Sequence, residues 1–377
     1  MQIKIRNFGP IKAFDFDLEK NWVVIFGKNN MGKSYGIYMV YLLVKTWLNT
    51  QSEVSTNTQF DQLQHQFLAE FQQAFSATFD KVDNTTSRFS KLPMRLSLST
   101  DIAELTIEIK DRKLVLGNSS LLKEIQNSID AVKQVYYLPA ARFGIYQALS
   151  SFAAIFAELS KNRRFLTQKV EIPTLSDPVS DYFLGLSNIK NSLVPGNKAI
   201  LDIVAEIEQN ILKGEVIFDT FLKKIFYKPS DMDLVLELSL TSSMVSELAP
   251  IVCYLKYIVA FAEPKSLLFI EEPEAHLHPE AQVQLIEILA KLVKANVKLV
   301  MACHSDYMFN KMNSLILGEK IDIAEISAIV FQESYEGTVA KALAVDELGI
   351  DDENFLETAE KIYSEKLELV EKLNEAA

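Results

Sequence analysis

The chain offers little material for disulfide or metal chemistry. Only two of its 377 residues are cysteine, Cys253 and Cys303. Both lie inside apolar runs and read as buried thiols, not as a bridged pair. Glycine and proline are also scarce, at 12 and 11. That excludes collagen-like and low-complexity chains and makes any glycine pattern informative. Positive charge is in deficit, with 38 Lys and Arg against 50 Asp and Glu and a formal net charge of -12. Such a balance argues against non-specific binding to nucleic acid or anionic membranes; DNA stays possible only through a local basic patch. No apolar run reaches the roughly 18 residues of a membrane span, and the longest, 35–48, is interrupted by Lys45. The opening residues Met1 to Ile5 lack the charged-then-apolar layout of a signal peptide. The expectation is a cytoplasmic protein with no membrane partner.

What is present is a large apolar fraction, 49%, with 10% aromatic residues, enough for a sizeable core. Residues 1–49 form the first part of the expected core. Ile3 and Ile5, then Phe14, Phe16 and Leu18, alternate with polar neighbours as strands do, with Gly9-Pro10 as a turn. Trp22 to Phe26 is a continuous apolar run, as a buried strand requires, and a helix is expected from 32 to about 48. Residues 50–91 carry Phe67, Phe71, Phe75 and Phe79 at four-residue spacing, one face of a docked helix. Residues 92–149 return to strands, with a turn at Asp111-Arg112 and a buried strand at 135–138 closed by Pro139. Residues 150–230 read mostly as helices, broken by Pro173, Pro178 and Pro195. In 231–377, Leu234, Leu236, Leu238 and Leu240 alternate into Thr241; strands at 267–270 and 299–302 flank a helix from about Pro279. The tail 355–373 reads as a charged amphipathic helix. Strands alternating with helices predict an α/β fold with a mixed or parallel sheet, an N-terminal antiparallel β part and a helical insertion.

Three segments carry chemistry. Gly27, Lys28, Asn29, Asn30, Met31, Gly32, Lys33 and Ser34 match the P-loop pattern at every fixed position, between a strand and a helix. The glycines let main-chain amides wrap phosphates, Lys33 places a charge on them, and Ser34 offers a hydroxyl to Mg2+. The second segment is an apolar strand ending in Glu271, Glu272, Pro273 and Glu274. Glu271 suits the metal side and Glu272 the general base that polarises the attacking water. Third, three of the four histidines lie in this part, His276, His278 and His304. His304 follows the next strand, on the edge where parallel sheets bind ligands, and a neutral imidazole there would donate to a γ-phosphate. Cys303 beside it points to the opposite face.

With these residues the chain resembles the ABC-type ATPases of the SMC and OLD (overcoming lysogenization defect) group. The resemblance covers the first sixth of the chain and about 231–345. Asn7 to Ile11 resembles the family's opening, Glu271 to Pro279 its acidic strand end and D-loop region, and Cys303 to Tyr307 its switch-histidine segment. Thr241 to Leu248 stands in the place of the ABC signature, with Met244 where glycine is common. The resemblance implies a P-loop ATPase using ATP and Mg2+. It also implies that Ser242 and Ser243 touch the γ-phosphate held by a second protomer, in a homodimer or higher oligomer. Arg142, in Tyr136 to Arg142, falls where the Q-loop lies and is read as a nucleotide or lobe-coupling residue, or as an arginine that anchors the helical lobe. The group often carries a TOPRIM-type nuclease after the ATPase. The segment after His304 is short and has no second acidic cluster, so a nuclease is expected on a separate chain.

The first functional reading is an ATP-driven switch gating a separate effector protein, such as a nuclease or toxin in bacterial anti-phage defence. The others are a slow SMC-like DNA-repair clamp or scaffold, and the ATPase subunit of a transporter. Glu-Glu in place of Asp-Glu, and large insertions, speak against the transporter.

Overall fold

The computed structural model describes residues 1–53, 59–85, 89, 92–127, 132–148, 175–190, 195–351 and 363–367. Its centre is an 11-stranded sheet in the order β6-β5-β4-β1-β2-β14-β13-β3-β12-β11-β7. The strands are β1 (Gln2–Phe8), β2 (Ile11–Asp17), β3 (Trp22–Gly27), β4 (Arg95–Ser99), β5 (Glu104–Lys110), β6 (Lys113–Ser119), β7 (Gln134–Leu138), β11 (Ser266–Glu271), β12 (Val297–Ala302), β13 (Ile326–Ser334) and β14 (Gly337–Leu343). β1, β2, β4, β5 and β6 pair antiparallel, the N-terminal β part expected. The β5–β6 turn places both Asp111 and Arg112 at positive φ, as a tight hairpin turn demands.

β13, β3, β12, β11 and β7 run parallel. Their apolar runs are continuous because both faces are covered. Trp22, Val24 and Phe26 of β3 join one hydrophobic cluster, while Val23 and Ile25 join the other. The second face is covered by α1 (Lys33–Glu53) and α2 (Phe60–Phe79). Phe67, Phe71 and Phe75 are fully buried and Phe79 nearly so, so the four-residue stripe is a docked helix face. On the first face lie α3 (Asp177–Ser187), α4 (Lys198–Ile207), α5 (Ser243–Tyr257), α6 (Pro279–Lys294) and α7 (Asp306–Leu317).

Four expectations change. Residues 214–229 are not helical: β8 (Gly214–Asp219) and β9 (Lys224–Pro229) form a hairpin within a separate three-stranded sheet. Its turn is held by Asp219, whose carboxylate accepts from the amides of Phe221 and Leu222. Pro178 does not break a helix but sits in the first turn of α3, where its missing N–H costs nothing. The leucine alternation at 234–240 is not one strand. Only β10 (Leu236–Glu237) pairs, a 3-10 turn follows, and Leu234 and Leu240 are exposed. Finally, Ser243–Phe261 is long and apolar enough to cross a membrane by length and composition; it is 67% buried inside the protein, as a core helix would be. Residues 150–174, with Pro173, and most of the 355–373 tail lie outside the described residues. Both cysteines are buried and free.

Phe71→Ala should cost about 3–5 kcal/mol, the usual loss for a fully buried phenylalanine. Urea unfolding checks this; a loss under about 1 kcal/mol would mean that α2 is not docked as described.

Candidate functional site

The parallel register places the C-terminal ends of β3, β12, β11 and β7 on one edge of the sheet. β3 ends at Gly27, and the chain turns through Lys28, Asn29 and Asn30, all exposed, into α1. Two glycines make this turn possible. Gly27 has φ +133, and a Cβ there would stand 2.7 Å from the Phe331 carbonyl oxygen. Gly32 has φ +85, and a Cβ there would stand 2.6 Å from the Pro10 ring. Pro10 therefore presses on the loop, which ties the opening Asn7 to Ile11 segment to the site. The first main-chain bond of α1 runs from the Gly36 amide to the Gly32 carbonyl at 3.0 Å. The amides just before it have no intrahelical acceptor and meet an anion with the positive end of the helix.

The Lys33 side chain is buried and folds back over the loop. Its ammonium donates to the carbonyls of Gly27 and Lys28, both at 2.7 Å. Burial lowers its pKa to about 8, against the opposing pull of Glu272, Glu271 and Glu274. A buried ammonium with an exposed loop beside it is a place for a polyanion.

Glu271 ends β11 on the same strand face as Leu267 and Phe269, both of which join the α1-side cluster. It is buried, and among the described residues its Oε1 makes no hydrogen bond. Burial raises its pKa; the neighbouring hydroxyls of Ser34 and Tyr137 act the other way. An orphaned carboxylate oxygen facing the P-loop serine is a hard-oxygen pair of the kind Mg2+ accepts. Among the described residues no group of three or more His, Cys, Asp or Glu could hold a metal unaided. A Mg2+ here would take its remaining ligands from phosphates and water.

Glu272 has φ +43, a conformation that costs a non-glycine residue roughly 1–2 kcal/mol. Its amide donates to the Ala302 carbonyl at 2.8 Å, and its half-exposed side chain faces the cleft. His304 Nε2 stands 3.9 Å from Glu272 Oε1. Burial and the Lys33 charge lower the His304 pKa, so the imidazole is neutral near pH 7. The His304 amide donates to Glu274 Oε1. Ser305 caps α7 through the Met308 amide and donates to Gln282. A cleft of about 610 Å³ is lined by residues 29–34, with Glu272 and His304 also on its wall.

Lys33, Ser34, Glu271, Glu272 and His304 are thus brought together. His276 is exposed, while His278 caps α6 through its Nδ1 and the Glu280 amide; neither lines the cleft. Ser242 caps α5 by accepting from the Val245 amide at 3.4 Å. Ser242 and Ser243 are exposed and stand outside the cleft of their own protomer. Arg142 is fully buried and absent from the cleft wall. Its guanidinium donates to the carbonyls of Pro139, Glu247, Glu271 and Glu272. Sequence reading assigned no role to Glu274, though its place two residues beyond Glu272 on a strand end was visible.

A family described as AAA ATPase domain matches residues 1–309. The chain belongs to this family. It is also similar in structure to the SMC head domain from Thermotoga maritima, at 12% identity over 91% of this chain and 98% of that one, with a TM-score of 0.44. An SmcHead bound to the C-winged helix domain of ScpA is similar at 12% identity, 92% and 98% coverage and 0.48. An Smc head domain with an extended coiled coil, bound to the C-terminal domain of ScpA derived from Pyrococcus furiosus, gives 12%, 97%, 98% and 0.41. No curated protein matches.

Lys33→Ala should weaken ATP binding roughly 10- to 150-fold, the equivalent of 1.5–3 kcal/mol for bonds to a charged group. Equilibrium titration with a fluorescent ATP analogue measures it; unchanged affinity would remove Lys33 from the site. The lowered Lys33 pKa gives a second expectation. Phosphate needs the protonated ammonium, and in the free protein that proton is half lost at about 8. Affinity should therefore hold below pH 7.5 and fall by up to about tenfold per unit above pH 8. A flat profile to pH 9.5 would contradict it.

Proposed function

We propose that the chain binds ATP with Mg2+ and hydrolyses it, and that the nucleotide closes two copies of the chain to gate a separate effector protein. The observation that supports this best is the meeting of Lys33, Ser34, Glu271, Glu272 and His304 at one sheet edge. Lys33 and the loop amides bind and orient the phosphates. Ser34 and Glu271 would hold Mg2+, which would supply positive charge against the negative charge that develops on the phosphates. Glu272 accepts a proton from the attacking water as its oxygen bonds to the γ-phosphorus. The bond from that phosphorus to the β–γ bridging oxygen breaks, and ADP leaves. Neutral His304 donates its N–H toward the γ-phosphate and needs no proton exchange to do so.

The cleft wall contains nothing from α5. In this reading the exposed N-terminus of α5, with Ser242 and Ser243, covers the γ-phosphate of a second copy. Its N-terminal amides and positive dipole suit that contact. ATP then bridges two chains, and hydrolysis removes the bridge. A nuclease or toxin of an anti-phage system is the kind of effector such a switch serves.

Glu272→Gln should keep ATP affinity and slow phosphate release by about 100-fold or more, as loss of a general base does. If Glu271→Gln gave that purely catalytic defect instead, the two roles would be exchanged. With ATP and Mg2+, the Glu272→Gln chain should sediment as a heavier species than it does without nucleotide. Adding Ser243→Arg should prevent this while the monomer still binds ATP. A Ser243→Arg chain with full ATPase activity would end the bridging account.

A further inference from the structure

We propose that Arg142 is a positioning residue through which α5 sets the geometry of Glu272. The inference rests on the ATPase reading above. Arg142 follows β7 and is 0% exposed. Its Nε donates to the Glu247 carbonyl at 3.1 Å, Nη1 to Pro139 at 3.0 Å and Glu271 at 2.6 Å, and Nη2 to Glu272 at 3.2 Å. The Glu247 carboxylate stands 3.8 Å from Nη2. One rigid, planar group thus joins the first turns of α5 to the two peptides that carry the candidate metal-side acid and the candidate base.

The Glu272 peptide explains why this contact acts on chemistry. Its φ of +43 is a sparsely populated conformation, and it aims the side chain at the cleft. The amide before the side chain is held by the Ala302 carbonyl, and the carbonyl after it is held by Arg142. A shift of α5 pulls on Glu247, moves the guanidinium, and rotates the Glu272 peptide. Closure of the exposed α5 N-terminus on a second copy is a motion of this kind. A neutral core plug would fill the same volume with less desolvation, but it would not transmit such a shift.

A control lies in the same cluster. Tyr182 on α3 donates from its hydroxyl to the Arg142 carbonyl at 3.3 Å and stacks on Tyr254 of α5, with ring centroids 5.9 Å apart. It touches Arg142 without joining the bridge to Glu272. Three variants of the full chain are compared by ATP affinity, kcat, KM and thermal unfolding. Arg142→Lys keeps the charge but cannot span four carbonyls. It should bind ATP within about threefold of wild type with a similar KM, and lose kcat by about 20-fold or more, as misplacement of a reacting group by about 1 Å does. Glu247→Gln, which removes only the facing charge, should lower kcat about threefold or more at unchanged KM. Tyr182→Phe should unfold at lower temperature yet keep kcat within about twofold. The inference is overturned if the Arg142 and Glu247 variants keep wild-type kcat, or if Tyr182→Phe at an equal thermal shift loses as much kcat as Arg142→Lys. Should Arg142→Lys fail to fold, the Glu247→Gln and Tyr182→Phe pair decides by the same criterion. A wild-type chain that binds ATP and releases no phosphate overturns the ATPase reading itself, and this inference with it.

Discussion

Everything at the site depends on the parallel pairing of β3, β12, β11 and β7. Ala302 pairs with both Ile25 and Glu271, and Ile270 pairs with Leu138. This register brings four strand ends level, and with them the P-loop, His304, the two acids and Arg142. A slip of one residue in β11 would exchange the faces of Glu271 and Glu272. The buried acid would then enter the cleft, and the exposed one would turn toward Ser34. Two hydrophobic layers oppose such a slip. Leu267 and Phe269 pack with the α1 and α2 side, and Leu268 and Ile270 pack with the other. The apolar core therefore fixes the polar chemistry at its rim.

Burial and charge then divide the work among nearby groups. Glu271 is enclosed and keeps an unsatisfied oxygen, so it gains from a cation. Glu272 is half-exposed and free to meet water. Lys33 is held by two carbonyls and loses affinity for its proton through burial. A phosphate group restores what burial removes, so the lysine and the ligand are matched electrostatically. Burial, and then the same Lys33 charge, lower the His304 pKa, which favours the neutral imidazole as a donor.

The parts legible in the sequence are those whose physics is local. The P-loop is contiguous, and its glycines stand where the chain needs positive φ and close approach. The Phe67 to Phe79 stripe shows its buried face at helical spacing. The acidic strand end is a run of apolar residues followed by charge. Arg142 is harder to read, because its acceptors are main-chain carbonyls, one local at Pro139 and the others in two distant segments, which leave no side-chain pattern. The β8–β9 hairpin was missed because its turn is built by the Asp219 carboxylate, a signal weaker than the helices and prolines around it. The leucines at 234–240 alternate in sequence, but only Leu238 among them is buried, so the period did not mark a face. The apolar length of Ser243–Phe261 was likewise underestimated, since Glu247 and Lys256 interrupt it on paper while their partners Arg142 and Glu208 accommodate them in the fold.

The most direct measurement is a crystal structure of the chain with Mg2+ and a non-hydrolysable ATP analogue. The account predicts the β- and γ-phosphates within hydrogen-bonding distance of Lys33 and the loop amides. It also predicts Mg2+ on the Ser34 and Glu271 side, and Glu272 with His304 flanking the γ-phosphate. A nucleotide bound elsewhere, or phosphates in this cleft with Glu271 and Glu272 both turned away, would contradict it.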